Sequence, residues 1–171
     1  MLITATGTRK FFALAALAAV IGVTDPEISS AATVDSNAVE AANAAIEAFQ
    51  TADHVRWASY YADDAVIEDV GSGKEGRHLE GKEAILAWFK VVADSWADST
   101  YKPLRVVAQG NTVMWEWRWE GTQTKDFVDA IGTGRKVSFR GVTIWDIVDG
   151  KIKHEVTIYN YSTLLHQLGK D

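Results

Sequence analysis

The chain of 171 residues contains no cysteine and only two prolines, and its acidic residues outnumber its basic ones. Without cysteine it can form neither a disulfide scaffold nor a thiolate centre. The formal net charge of −6 has the wrong sign for binding a phosphate backbone, so no nucleic-acid partner is expected. The hydrophobic fraction of 47% is too high for a disordered chain and suffices for the core of one domain.

The N-terminal segment has the pattern of an export signal. Arg9 and Lys10 precede an apolar stretch from 11 to 23, and small residues follow at 29–32. The stretch is shorter than the roughly 20 apolar residues that span a bilayer, and the order of basic, apolar and small residues is typical of a secretory signal peptide. We therefore expect residues 1–32 to be a signal peptide and 33–171 to be an exported domain, periplasmic or extracellular, with no membrane contact after cleavage. An uncleaved membrane anchor is the alternative.

In the domain that follows residue 32, apolar residues first recur at helical spacing and later at strand spacing. Apolar residues recur at helical spacing between 39 and 49, after a capping residue at Asp35 or Ser36. Further helices are predicted after Asp53 and Gly81, and Asp149-Gly150 predicts a hairpin turn. Helices followed by a meander of strands indicate an α+β fold. The predicted strands are 65–70, 104–108, 113–120, 137–148 and 152–158, and a last helical turn covers 162–168.

One predicted strand carries three tryptophans on one face. Trp115, Trp117 and Trp119 alternate with three charged residues, so the indoles share one side of the strand. Three such rings are difficult to pack solidly, and each indole N–H requires a partner. They form either one wall of a filled core or the lining of a substrate-binding cavity on a curved sheet.

Four short segments then carry a family resemblance. They read WEGTQT at 119–124, GTGR at 132–135, DGKI at 149–152, and YNY with LLHQLG between 159 and 169. In this order they resemble the SnoaL-like polyketide cyclase and ester cyclase family of the nuclear transport factor 2-like superfamily. The resemblance covers 38–169. It implies a cone-shaped, curved antiparallel sheet wrapped around about three N-terminal helices (a cystatin-like α+β barrel) enclosing a pocket, with homodimers frequent.

Two positions depart from the family pattern. Many members carry histidine where this chain has Gln123, and aspartate where it has Asn160. That aspartate is the acid–base catalyst of the cyclases, whereas asparagine can only donate and accept hydrogen bonds. The resemblance therefore implies that Gln123 and Asn160, together with Thr157, hold an oxygen of the substrate while the proton transfer is done elsewhere.

The candidate catalytic groups are Asp69 and Glu155. A carboxyl group in a cavity lined by indoles has a raised pKa, which suits a general base acting on a carbon acid. Asp69 is our first choice because it follows the second helix on a short strand and shares a face with Ile67. The simpler alternatives are a solvated residue at a strand end for Asp69 and an exposed strand face for Glu155.

The last strand can be interpreted in two ways. Alternation places Ile152, Val156 and Ile158 on one side, which looks buried by composition. Resemblance to the epoxide-hydrolase branch of the family instead favours the side of Glu155 and Thr157 as pocket lining. We adopt the second interpretation.

Two functions from different classes follow. The first is a cyclase, isomerase or lyase that needs no cofactor and acts by general acid–base catalysis on a small hydrophobic carbonyl compound. The second is an exported binding protein that holds a small apolar ligand without turnover. No metal is expected, because the four histidines show no ligand spacing.

Overall fold

The computed structural model describes residues 35–71, 75–96, 98–128 and 130–170. The expected signal peptide, residues 1–32, lies outside them. Among the described residues, no helix is long and apolar enough to cross a bilayer.

The described ranges contain four helices, and three of them begin at a side-chain cap. Helix α1 (Ser36–Phe49) begins after Asp35, whose carboxylate accepts from the Asn37 amide at 2.9 Å, and α2 (His54–Ser59) begins after Asp53. Helix α3 (Lys82–Ser95) follows a glycine, and α4 (Tyr161–Gln167) begins after Asn160. Short polar residues cap helices because their oxygens accept from the unpaired amides of the first turn. The cap predicted at Asp53 is confirmed, and of the two candidates for the first cap the structure selects Asp35 over Ser36.

The described part of the chain forms six strands: β1 (Tyr61–Asp69), β2 (Arg77–Glu80), β3 (Thr100–Gln109), β4 (Thr112–Thr122), β5 (Lys136–Val148) and β6 (Lys151–Tyr159). They make one curved, unclosed sheet in the order β2-β1-β6-β5-β4-β3. The predicted α+β class and the meander of β3 to β6 are confirmed, and Asp149 and Gly150 have the positive φ angles that their turn requires. The short strand β2 was not predicted.

The sheet is mixed rather than wholly antiparallel, because β1 runs parallel to β6. In this pairing Ile67 lies opposite Glu155 and Asp69 lies opposite Thr157. Side chains at neighbouring positions of paired strands point to the same face. The parallel pair therefore brings the two candidate carboxylates, far apart in sequence, to the same side of the sheet.

A bulge in β6 resolves the two interpretations of that strand. Ile152 pairs with Ile147 and His154 pairs with Asp146, so Lys153 is an extra residue in the ladder. An extra residue reverses the alternation of the side chains that follow it. Ile152 and Glu155 are therefore both buried, although strict alternation places them on opposite faces.

The core joins the helices to one face of the sheet. Helix α1 packs against β3, β4 and β5, and α3 packs against α2 and β1. At their centre Phe49 contacts Trp57, Phe89 and Trp115, with ring centroids 5.2–6.0 Å apart. Such aromatic clusters bury a large apolar area in a few residues.

Candidate functional site

A cavity of about 70 Å³ lies within the aromatic core between the helices and the sheet. Its wall is mostly aromatic, with two carboxylates and two threonine hydroxyls. Among the described residues that line it there is no lysine, arginine or histidine. The polar lining residues are Asp69, Thr143, Glu155 and Thr157, and the aromatic ones include Tyr101, Trp115, Trp117, Trp119, Phe139 and Trp145.

The three tryptophans of β4 line this cavity and are nearly inaccessible to solvent. Two glycines give the rings room. A Cβ atom built at Gly141, directly across from Trp117 on β5, would overlap the ring of Trp117. A Cβ atom at Gly121 would lie 2.8 Å from the ring of Trp119. The prediction that the indoles share a buried face is therefore confirmed, and both interpretations hold in part, since they pack in the core and also border a cavity.

Glu155 lies in the cavity wall, 7% exposed, and three side chains donate to its carboxylate. Tyr61 Oη and Trp145 Nε1 donate to Oε2, the latter at 2.7 Å, and Thr157 Oγ1 donates to Oε1 at 2.8 Å. A carboxylate offers about four acceptor positions, so about one position on Oε1 remains for a guest.

A chain of hydroxyl groups continues from Glu155 along the cavity. Thr143 and Thr157 lie directly opposite each other on β5 and β6, and their hydroxyl oxygens are 2.7 Å apart. The hydroxyl of Thr157 donates its hydrogen to ionised Glu155, so in the bond between the two threonines the hydroxyl of Thr143 is the donor. Trp117 Nε1 donates in turn to Thr143 at 3.0 Å. Every hydrogen bond in this chain therefore points toward the carboxylate, which stabilises its charged form.

Burial works against these donors and dominates. It raises the pKa of Glu155 above its ordinary value, the three donors oppose the shift, and the nearby charge of Asp69 adds to it. Burial, with the neighbouring charge of Glu155, also raises the pKa of Tyr61 well above its usual range, so Tyr61 remains a donor. A carboxyl group with a raised pKa accepts a proton more readily than one in water.

Asp69 also lines the cavity and is 6% exposed. One carboxylate oxygen accepts from the amide of Gly71 at 3.2 Å. The structure thus brings both carboxylates, Thr157 and the three tryptophans of β4 to one cavity, which is where the sequence reasoning placed them.

Gln123 and Asn160 lie elsewhere, which corrects the expectation that they border the same space. Gln123 is fully buried, and its amide binds the carbonyl of Ala130 and both the amide and the hydroxyl of Thr133. Asn160 is exposed and accepts from the amide of Thr163 as the cap of α4. Gln123 therefore stabilises the connection between β4 and β5, and Asn160 caps the start of α4.

Sequence reasoning selected Thr157 among the three donors to Glu155 and missed Trp145 and Tyr61, as well as Thr143, which donates to Thr157. Thr143 and Trp145 lie on β5, where apolar or buried residues occur at every second position from Val137 to Ile147. That alternation could have identified both as inward-facing. Nothing in the sequence indicates that Tyr61 reaches a residue 94 positions away.

The profile of the SnoaL-like domain matches residues 42–155, which is most of the described chain. The protein belongs to the SnoaL-like domain family. The chain has no match among curated protein sequences.

Solved structures place this SnoaL-like protein in the ketosteroid isomerase-like fold. IdmH from Streptomyces antibioticus, provisionally named a polyketide cyclase, is 26% identical, with a TM-score of 0.63 over 77% of this chain and 98% of its own. A provisionally named SnoaL-like polyketide cyclase from Jannaschia sp. CCS1 is 16% identical, with a TM-score of 0.71 over 84% and 99%. A protein from Catenulispora acidiphila, solved in complex with trimethylamine, is 17% identical, with a TM-score of 0.66 over 77% and 94%. The predicted family and fold are confirmed.

Proposed function

We propose that this SnoaL-like protein is an enzyme that needs no cofactor and moves a proton on a small apolar carbonyl compound, with Glu155 as the general base. The observation that carries the proposal is a carboxyl group in the wall of an aromatic cavity, held by three donors. Its orientation is fixed before any guest enters, and about one acceptor position on Oε1 remains. Fixed orientation and a raised pKa are what a base acting on a carbon acid needs.

The proposed step needs only the substrate and this side chain. The C–H bond beside the carbonyl breaks and its proton goes to Oε1 of Glu155. The electron pair of that bond forms the C=C bond, and the carbonyl π pair moves onto oxygen. Return of the proton to the same carbon exchanges hydrogen, whereas return to another carbon of a conjugated compound isomerises it.

The cavity limits the substrate to a small molecule. Its volume of about 70 Å³ is about half that of an engineered apolar cavity of about 150 Å³ that admits benzene. A compound of several fused rings does not fit unless side chains move. The Catenulispora neighbour was solved in complex with trimethylamine, which is likewise a small molecule.

The test is the exchange of hydrogen for deuterium in butanone dissolved in D₂O, followed by proton NMR. We expect the protein to accelerate exchange beside the carbonyl and Glu155→Gln to abolish the acceleration while leaving butanone binding intact. Glu68→Gln is the matched control, because Glu68 lies on the opposite face of neighbouring β1. Asp69→Asn separates the two candidate bases. Full activity of Glu155→Gln would remove Glu155 from the role, and loss with Asp69→Asn alone would transfer it to Asp69.

The second candidate is a binding protein that holds a small apolar ligand without turnover. It is supported by the aromatic wall, since burial of apolar area alone stabilises such a guest. Under this alternative butanone binds to the wild-type protein, yet its exchange rate equals that in buffer.

A further inference from the structure

We propose that the indole N–H of Trp115 is the donor that holds the carbonyl oxygen of the guest. The proposal rests on the function proposed above for the class of guest, and it adds the residue that recognises the oxygen. Trp115 lines the cavity, is 1% exposed, and its Nε1 has no hydrogen-bond partner among the described residues.

Three other indoles of the cavity wall have their N–H groups occupied. Trp57 Nε1 donates to the carbonyls of Ala48 and Thr51 at 2.9 and 2.8 Å. Trp117 donates to Thr143, and Trp145 donates to Glu155. Trp115 therefore differs from these three indoles, because its buried N–H has no acceptor in the part of the chain that the structure describes.

A buried donor of this kind is destabilising unless something accepts its proton. Burial without a partner costs the desolvation of the N–H group, and an indole nitrogen can only donate. A guest that offers an oxygen acceptor removes this cost, whereas a hydrocarbon of the same shape leaves it in place. Sites built in this way discriminate strongly against analogues that lack the acceptor.

The position of Trp115 suits the proposed proton transfer. Trp115, Thr143 and Thr157 form a row of directly opposed residues across β4, β5 and β6. Adjacent strands are about 4.8 Å apart, so the two ends of this row are about 10 Å apart at their backbones. Glu155 lies two residues before Thr157 on β6, and both Trp115 and Glu155 line the cavity, so a guest held there lies near both side chains. As the carbonyl oxygen gains charge, the Trp115 N–H stabilises it more strongly than in the ground state.

The first test compares butanone with 2-methylbut-1-ene, in which a CH₂ group replaces the carbonyl oxygen. Affinities are measured by calorimetry for wild type, Trp115→Phe and the control Tyr60→Phe, which removes an aromatic donor outside the cavity wall. We expect Trp115→Phe to lower the affinity ratio of ketone to alkene by about tenfold and Tyr60→Phe to leave it within about twofold. The ratio is used because water solvates the ketone better than the alkene. An unchanged ratio in Trp115→Phe, or a wild-type protein that binds neither probe, would overturn the proposal.

The second test uses the wild-type protein, so it does not depend on whether a variant folds. The seven tryptophans give indole N–H signals in a ¹⁵N NMR spectrum, and we expect the Trp115 signal to move downfield with butanone but not with the alkene. A Trp115 signal that stays in place at saturating butanone would refute the proposal. Failure of the proposed function is distinguishable from this outcome. If deuterium exchange is absent while the Trp115 signal moves, the protein recognises the carbonyl without turnover, and only the enzymatic function falls.

Discussion

Replacement of Glu155 by glutamine changes how the stability of the protein depends on pH. The glutamine oxygen can accept from Tyr61 and Trp145, and its amide can donate to Thr157, whose hydroxyl then donates to Thr143. The substitution therefore keeps the shape and the hydrogen bonds of the site and removes only the titration of the carboxyl group.

The sign of the effect follows from the raised pKa. Because burial raises the pKa of Glu155 in the folded protein above its ordinary value of 4.5, the folded state binds a proton more readily than the unfolded state. Stability of the wild type relative to Glu155→Gln is therefore constant below pH 4.5 and falls as the pH rises through the folded pKa. Between the two pKa values the slope is at most about 1.4 kcal/mol per pH unit. The titratable groups that face Glu155 are Tyr61, Asp69 and Tyr101, and both tyrosines remain neutral because burial raises their pKa values.

Urea unfolding between pH 4 and pH 8, followed by tryptophan fluorescence, measures the difference in the free energy of unfolding between the wild type and each variant. Asp98→Asn is a control of opposite sign, since hydrogen bonds from the amide and hydroxyl of Thr122 lower the pKa of Asp98. Asp98 stabilises the protein above its ordinary pKa of 3.8 and loses this effect as the pH falls. Its difference from wild type is therefore flat above pH 4.5. If the Glu155→Gln difference is also flat, or rises with pH, the reasoning from burial is wrong.

Three further substitutions test a close contact in the core, a helix cap and a buried hydrogen bond. Gly141→Ala forces the Trp117 ring to move and should lower the free energy of unfolding by about 1–3 kcal/mol in urea titrations; an unchanged value would mean that the ring shifts freely. Asn160→Ala should cost about 1 kcal/mol through loss of the α4 cap without changing butanone affinity, and a large loss of affinity would return Asn160 to the binding site. Gln123→Ala leaves the amide of Thr133 unpaired and should cost about 1–3 kcal/mol, with faster hydrogen exchange at that amide; continued protection there would contradict the hydrogen bond.

Features set by local chemistry were predictable from the sequence. The caps at Asp35 and Asp53, the turn at Asp149-Gly150 and the alternation around Trp117 each depend on a few adjacent residues. Local backbone preferences and side-chain periodicity determine such features, and both can be read from a short window.

Features that depend on pairing between distant segments were not predictable. The parallel contact of β1 with β6 joins segments about ninety positions apart, and the bulge at Lys153 has no glycine or proline to mark it. That bulge decides which side chains of β6 point inward. The placement of Glu155 in the cavity was reached from the family resemblance, because composition alone favoured the side of Ile158, which is exposed.

Several residues that line the candidate site were predicted, but the hydrogen bonds between them were not. Asp69 could be selected because it shares a strand face with Ile67, and Glu155 because the family resemblance favoured its side of β6. Gln123 and Asn160 were misplaced because a motif shared with relatives gives a position in the chain but not the partner of the side chain. Their amides bind nearby backbone and hydroxyl groups instead, which satisfies them locally.

Each of the two glycines beside the indoles is in close contact with one ring, Gly141 with Trp117 and Gly121 with Trp119. The size of guest that the cavity accepts therefore depends on both residues of each pair. Enlarging Gly141 alone strains the fold, and shrinking Trp117 alone leaves a void and deprives Thr143 of a donor. Inherited changes in this wall are therefore expected to come as compensating exchanges, in which a bulkier residue at 141 accompanies a smaller ring at 117. Volume would then be relocated within the site rather than simply gained or lost, and chains with similar backbones could accept guests of different outline.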